Sequence, residues 1–141
     1  MLKGIPKIIS PNLLKVLCEM GHGDTIVIAD ANFPSETCGQ RVVRADGISG
    51  TDMLKAVLAL IPLDTYSSAN FYTMELSGGD TEIPEIWGEY ADIAKSADDN
   101  YKPATLERFA FYEQAKKAYC VIATGEEKIY ANIILQKGVI K

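Results

Sequence analysis

An α/β fold is predicted by three features of the 141-residue chain. Short apolar runs rich in β-branched residues alternate with segments of helical periodicity. The prolines fall at the edges of those segments. No repeat, low-complexity tract or linker interrupts the alternation, so one compact domain over residues 1–141 is expected. At this length a core can form without disulfides or a structural metal.

The first helix is the best signalled element. Ser10 suits the N-cap and Pro11 the first helical position. Leu13, Leu14, Leu17 and Cys18 then recur at helical spacing. Gly21 stands where a left-handed glycine cap belongs, which ends the helix at Met20 and leaves His22 in the following turn. Thr25–Ala29 reads as a buried strand. It gives way to Asp30 and the turn residues up to Pro34. A helix is expected from about Thr51 to Ile61, stopped by Pro62. A strand follows over 71–76, then a helix over 84–97 with Ile86, Tyr90 and Ile93 on one face. After Pro103 a short strand leads to Arg108, and a helix runs through Phe111 to Ala118. The last strands are 119–123 and 129–135, joined by a turn at Gly125.

Composition excludes several function classes. The net charge is −5 and the arginines are only Arg41, Arg44 and Arg108. Nucleic acid and anionic membrane both demand clustered positive charge, so neither partner is expected. No run approaches the roughly 20 apolar residues of a membrane span, and the first ten residues do not resemble a signal peptide. Cys18, Cys38 and Cys120 are odd in number and far apart, which fits neither a disulfide framework nor a metal site. Cys18 and Cys120 read as core residues, and a reducing cytoplasm is the expected location.

Few side chains can carry chemistry. His22, the only histidine, lies between two glycines that let the backbone bend and a ligand approach. Imidazole both gives and takes protons near neutrality. The competing reading is an exposed turn histidine bonded to the last helix carbonyls. Asp30 sits at the carboxyl end of an apolar strand, where open α/β sheets gather ligands. It could accept sugar hydroxyls, orient His22, or simply cap the turn. A phosphoacceptor role is discounted for want of earlier acidic partners. Arg108 offers five fixed donors, against the alternative of a surface ion pair with Glu107 or Glu113. Phe109, Phe111 and Tyr112 read as core or interface residues. Tyr130 and Asn132 open the last strand with neutral groups suited to a polyol. Tyr119 is a second candidate phenol, with core packing as its alternative. The glycines at 47–50 and 78–79 lack the lysine and spacing of a phosphate loop and read as turns.

Several long segments together carry a resemblance: LKGIPKIISPNLLKVLCEMGHGDTIVIADANFP, RADG, RFAFYEQAKKA and YANIILQKGV. The chain resembles the fucose mutarotase / ribose pyranase family, and the fucose branch more than the ribose branch. The resemblance implies that family's α/β fold and an isomerase that exchanges the α and β anomers of L-fucose without a cofactor or metal. Pyranose–furanose exchange of ribose would be a side activity. It further implies a homo-oligomer, often a decamer of two pentameric rings, with sites between subunits. His22 matches the family's proton donor, and Asp30, Arg108, Tyr130 and Asn132 match its sugar-binding positions. Tyr119 falls near a tyrosine linked to activity. Two rivals remain open at this point, a non-catalytic sugar-binding or sensing module and a purely structural ring protein.

Overall fold

In the computed structural model, which describes residues 1–141, the first helix forms for the reason its sequence suggests. Ser10 accepts the Leu13 amide at 3.1 Å, and Pro11 opens α1 (Pro11–Glu19). The exit differs from expectation. The chain leaves the helix through Met20 in an extended conformation, and the left-handed residue is Gly23, at φ 86°. The Gly21 amide donates instead to the Asp24 carboxylate at 2.8 Å. Cys18 lies on the exposed side of α1, whereas Cys38 and Cys120 are buried.

The elements that follow are β1 (Thr25–Ala29), α2 (Ser35–Cys38), β2 (Val42–Ala45), α3 (Gly50–Leu58) and β3 (Phe71–Met74). They are succeeded by α4 (Glu85–Ala97), β4 (Pro103–Leu106), α5 (Arg108–Lys117), β5 (Cys120–Thr124) and β6 (Ile133–Gln136). The six strands form one sheet in the order β2-β5-β1-β6-β3-β4. Five run in the same direction, and β6 alone is reversed, pairing antiparallel with β1 and β3. The last strand is shorter than expected because Tyr130 adopts a left-handed φ of 57° and breaks the extension before residue 133.

β1 shows why its sequence was legible. Ile26 and Ile28 enter a large core formed with α1, α3 and α4, while Val27 and Ala29 enter a smaller one beneath α2 and α5. A strand covered on both faces has to be apolar throughout. This three-layer arrangement leaves two open rims of the sheet. The carboxyl ends of the five co-directional strands share one edge with the start of β6. The amino end of β1 shares the other edge with the end of β6, where Lys137 donates its amide to Asp24.

Candidate functional site at two edges of the sheet

At the carboxyl edge Asp30 follows the last residue of β1 and is only 4% exposed. Its position is locked by its neighbours. Thr124 Oγ1 donates to the Ala29 carbonyl at 2.6 Å, and the Ala31 amide donates to the Glu126 carbonyl. One Asp30 oxygen accepts the Asn32 amide at 3.0 Å. The other accepts Asn132 Nδ2 at 3.0 Å and the Ala131 amide at 3.3 Å. Asn132 Oδ1 in turn accepts the Asp30 amide at 2.8 Å. Burial pushes the Asp30 carboxyl above its ordinary value, and these donors only partly oppose it. All of them are neutral, and no cation pairs with the group.

Asp30 and Asn132 form the floor of an open cavity of about 340 Å³. Phe33, Met74, Tyr130, Arg108 and Tyr112 contribute to its walls. The two α5 residues are one helical turn apart, so they share a face. Arg108 Nε donates to the Tyr112 hydroxyl at 3.3 Å, and the guanidinium lies 5.5 Å from the Tyr112 ring centre. The ion pairs open to Arg108 on sequence grounds do not form. Glu107 caps α5 by accepting the Phe109 and Ala110 amides, and Glu113 pairs with Lys116 at 2.9 Å.

The amino edge holds a second polar cluster. His22 Nε2 lies 2.8 Å from Asp64 Oδ1, and the imidazole is 44% exposed while Asp64 is buried. Asp64 also accepts the Ser67 hydroxyl and the amides of Tyr66 and Ser67. Burial alone would raise this carboxyl; the Ser67, His22 and amide hydrogen bonds outweigh it and hold the group down at about 2. A carboxylate can only accept, so Nε2 carries the ring proton and Nδ1 is the nitrogen left to exchange one. The Tyr66 ring packs 5.1 Å from the imidazole.

Residues 3–140 match the RbsD / FucU transport protein family. The chain belongs to that family. It is 50% identical to a fucose mutarotase of Danio rerio, across 99% of this chain and 94% of that one. The structure of FucU from Bifidobacterium longum superposes with a TM-score of 0.95 at 58% identity, covering 99% of this chain and all of the other. A fucose mutarotase from Streptococcus pneumoniae, solved in complex with L-fucose, superposes at 0.94 with 48% identity, again over 99% of this chain and all of the other. Within this family the fold is the expected α/β type.

The structure brings together Asp30, Arg108, Tyr130 and Asn132. It does not bring His22 to them. A five-residue strand spans roughly 17 Å, and His22 and Asp30 flank opposite ends of β1, so within one subunit His22 is oriented by Asp64 and not by Asp30. Tyr119 is likewise absent from the cavity. It precedes β5, donates its amide to the Thr25 carbonyl, and stacks its ring under the Arg41 guanidinium at 4.1 Å. Beside Tyr130 the cavity is lined by a second phenol, Tyr112, which the sequence pattern assigned to the core or an interface. Its four-residue spacing from Arg108 was the available signal. Asp64 was missed as well, since its partner lies 42 residues earlier in the chain.

Proposed function

We propose that the chain is an L-fucose mutarotase whose site is completed by two subunits, the carboxyl edge of one binding the sugar and the amino edge of its neighbour supplying His22. The observation that carries this reading is the cavity floored by Asp30 and Asn132 and walled by Arg108 and Tyr112, in a chain half identical over nearly its full length to proteins named fucose mutarotase. The homologue solved with L-fucose, at 48% identity, supports the choice of sugar.

The chemistry is a proton exchange. A proton is delivered to the ring oxygen, the anomeric hydroxyl loses one, the C1–O5 bond breaks, and a C1 carbonyl forms. Rotation about C1–C2 and reclosure on the other carbonyl face, with the protons returned, give the other anomer. In its imidazolium form His22 delivers the ring-oxygen proton from Nδ1 and later takes one back there, while Asp64 fixes the imidazole through Nε2–H. Asp30 and Asn132 hold hydroxyls. The Tyr112 hydroxyl, both donor and acceptor, relays the anomeric proton. Mutarotation already proceeds in water, so the roughly 10²–10⁴-fold available from positioned acid–base groups suffices.

A ring oligomer accounts for the separation of the two edges. Each edge presents exposed apolar side chains, Ile83, Phe109 and Ile129 beside the cavity and Tyr66, Val139 and Ile140 at the other end of the chain's polar cluster. A head-to-tail contact between unlike surfaces closes into a ring when its rotation divides a full turn. The pentameric ring, and its pairing into a decamer, follow the family resemblance. The three free thiols fit a reducing cytoplasm, and no helix is long and apolar enough to cross a membrane.

The test is complementation. His22→Ala and Asn132→Ala are each expected to lose most anomer exchange, read by saturation-transfer NMR on L-fucose with D-ribose as comparison sugar. When the two variants are mixed and reassembled, about a quarter of the interfaces in a randomly mixed ring regain both intact halves, and exchange returns in proportion. Failure of the mixture to recover would place both halves in one subunit and sink the shared site. Fucose binding without exchange by the wild-type protein would identify a sensing module instead.

A further inference from the structure

Tyr130 is the one residue other than glycine with a positive φ, 57°. That backbone is disfavoured for a residue bearing a Cβ and persists only where its surroundings enforce it. Two sets of contacts do so. From α4, Trp87 Nε1 donates to the Tyr130 carbonyl at 2.8 Å, and the two rings meet edge to face with centres 6.4 Å apart. From the other side, the phenol oxygen is enclosed by the loop that follows β3. It accepts the Ser77 amide at 3.2 Å and lies 2.6 Å from Asp80 Oδ2, with the Ser77 carbonyl at 3.1 Å. Left-handed Gly78 and Gly79 turn this loop so that Asp80 returns to the phenol.

A phenol has one hydrogen to give, and the short contact with a carboxylate takes it. The Tyr130 hydroxyl is therefore committed to the loop and is not free to donate to a sugar. What Tyr130 supplies is a wall. On one side is the cavity floored by Asp30, whose rim Ser77 and Asp80 also reach, and on the other a second cavity of about 610 Å³ bounded by Ile83 and Lys128; Asp80, Ile129 and Tyr130 border both.

We propose that Asp80 is a positioning residue for the sugar site, which by holding the Tyr130 phenol fixes the wall between the two cavities and with it the shape of the sugar the carboxyl edge accepts. The proposal deepens the mutarotase reading and rests on it. Asp80 acts on ground state and transition state alike, so its loss appears in KM and not in kcat.

The experiment compares Asp80→Ala, Asp80→Asn and Tyr130→Phe with the double variant Asp80→Ala/Tyr130→Phe. The readouts are L-fucose exchange kinetics and the emission of Trp87, the only tryptophan. Asp80→Ala and Tyr130→Phe are each expected to raise KM about tenfold, the loss of one hydrogen bond to a charged group, with kcat within about threefold. Asp80→Asn keeps an acceptor oxygen and is expected to restore KM most of the way. In the Tyr130→Phe background Asp80→Ala should add nothing. The emission of the sugar-free protein should shift in Asp80→Ala and Tyr130→Phe and return in Asp80→Asn. Equal KM values for Asp80→Ala and Asp80→Asn, additive effects in the double variant, or unchanged Trp87 emission would each overturn the proposal. Absence of exchange by the wild-type protein would instead defeat the mutarotase reading, and the emission would still decide whether Asp80 holds Tyr130.

Discussion

Asp30 and Asp64 are both buried aspartates at the rims of one sheet, yet their environments drive them in opposite directions. Asp30 accepts only neutral amide donors, and burial keeps its carboxyl above the ordinary value. Asp64 adds a serine hydroxyl and an imidazole to its two amides and falls to about 2. Burial by itself therefore does not decide the charge of a carboxyl; the kind and number of donors does. A group held high at some cost to the fold suits ligand contact, and a group held low suits the fixing of a neighbour.

The largest effect expected from this contrast is on stability. Asp64→Ala strands the Ser67 hydroxyl, two amides and His22 Nε2, and is expected to cost about 3 kcal/mol in urea unfolding at fixed protein concentration. Asp30→Asn removes an acceptor but also relieves a buried charge, so its stability should stay within about 1 kcal/mol of wild type. Its L-fucose affinity, measured by calorimetry, should fall about tenfold. Equal destabilisation by the two substitutions would abolish the contrast. The smallest effect is in the acid limb of the stability curve. The Asp64 contribution is present above its unfolded value near 4 and is lost as pH falls toward 2. Asp30 has the opposite sign, since a raised carboxyl penalises the fold when ionised and relieves it on protonation. Asp64→Ala should therefore flatten the loss of stability below about pH 4, while Asp30→Asn should steepen it between neutrality and that point.

The same contrast explains what could be read from the chain alone. β1 was legible to the residue because both its faces are buried, and α1 because Ser10 and Pro11 are local signals. β2 was not, because it is an edge strand in which only Val43 is buried and Arg44 is exposed. Asp30 was found from its place at a strand end, and Arg108, Tyr130 and Asn132 from their hydrogen-bonding chemistry, with the family resemblance matching all four to sugar-binding positions. Asp64 has no such cue. It looks like a turn aspartate ahead of Tyr66 and Ser67, and that turn is indeed made, but the contact with His22 comes only from the Leu63–Lys137 bridge that draws residues 63–64 to the end of β6. The placement of His22 and Asp30 at opposite edges is likewise a property of strand direction, which no local pattern records.

The single reversed strand ties these edges together. β6 begins beside Asn132, at the carboxyl rim, and ends four residues later at Gln136, whose successor meets the turn that carries His22. Its length thus acts as a molecular spacer between the rim that carries Asp30 and Asn132 and the rim that carries His22 and Asp64. Inserting or deleting a residue there would shift Asn132 and the turn that carries His22 against each other at once, so that one lesion would disturb both rims of the sheet.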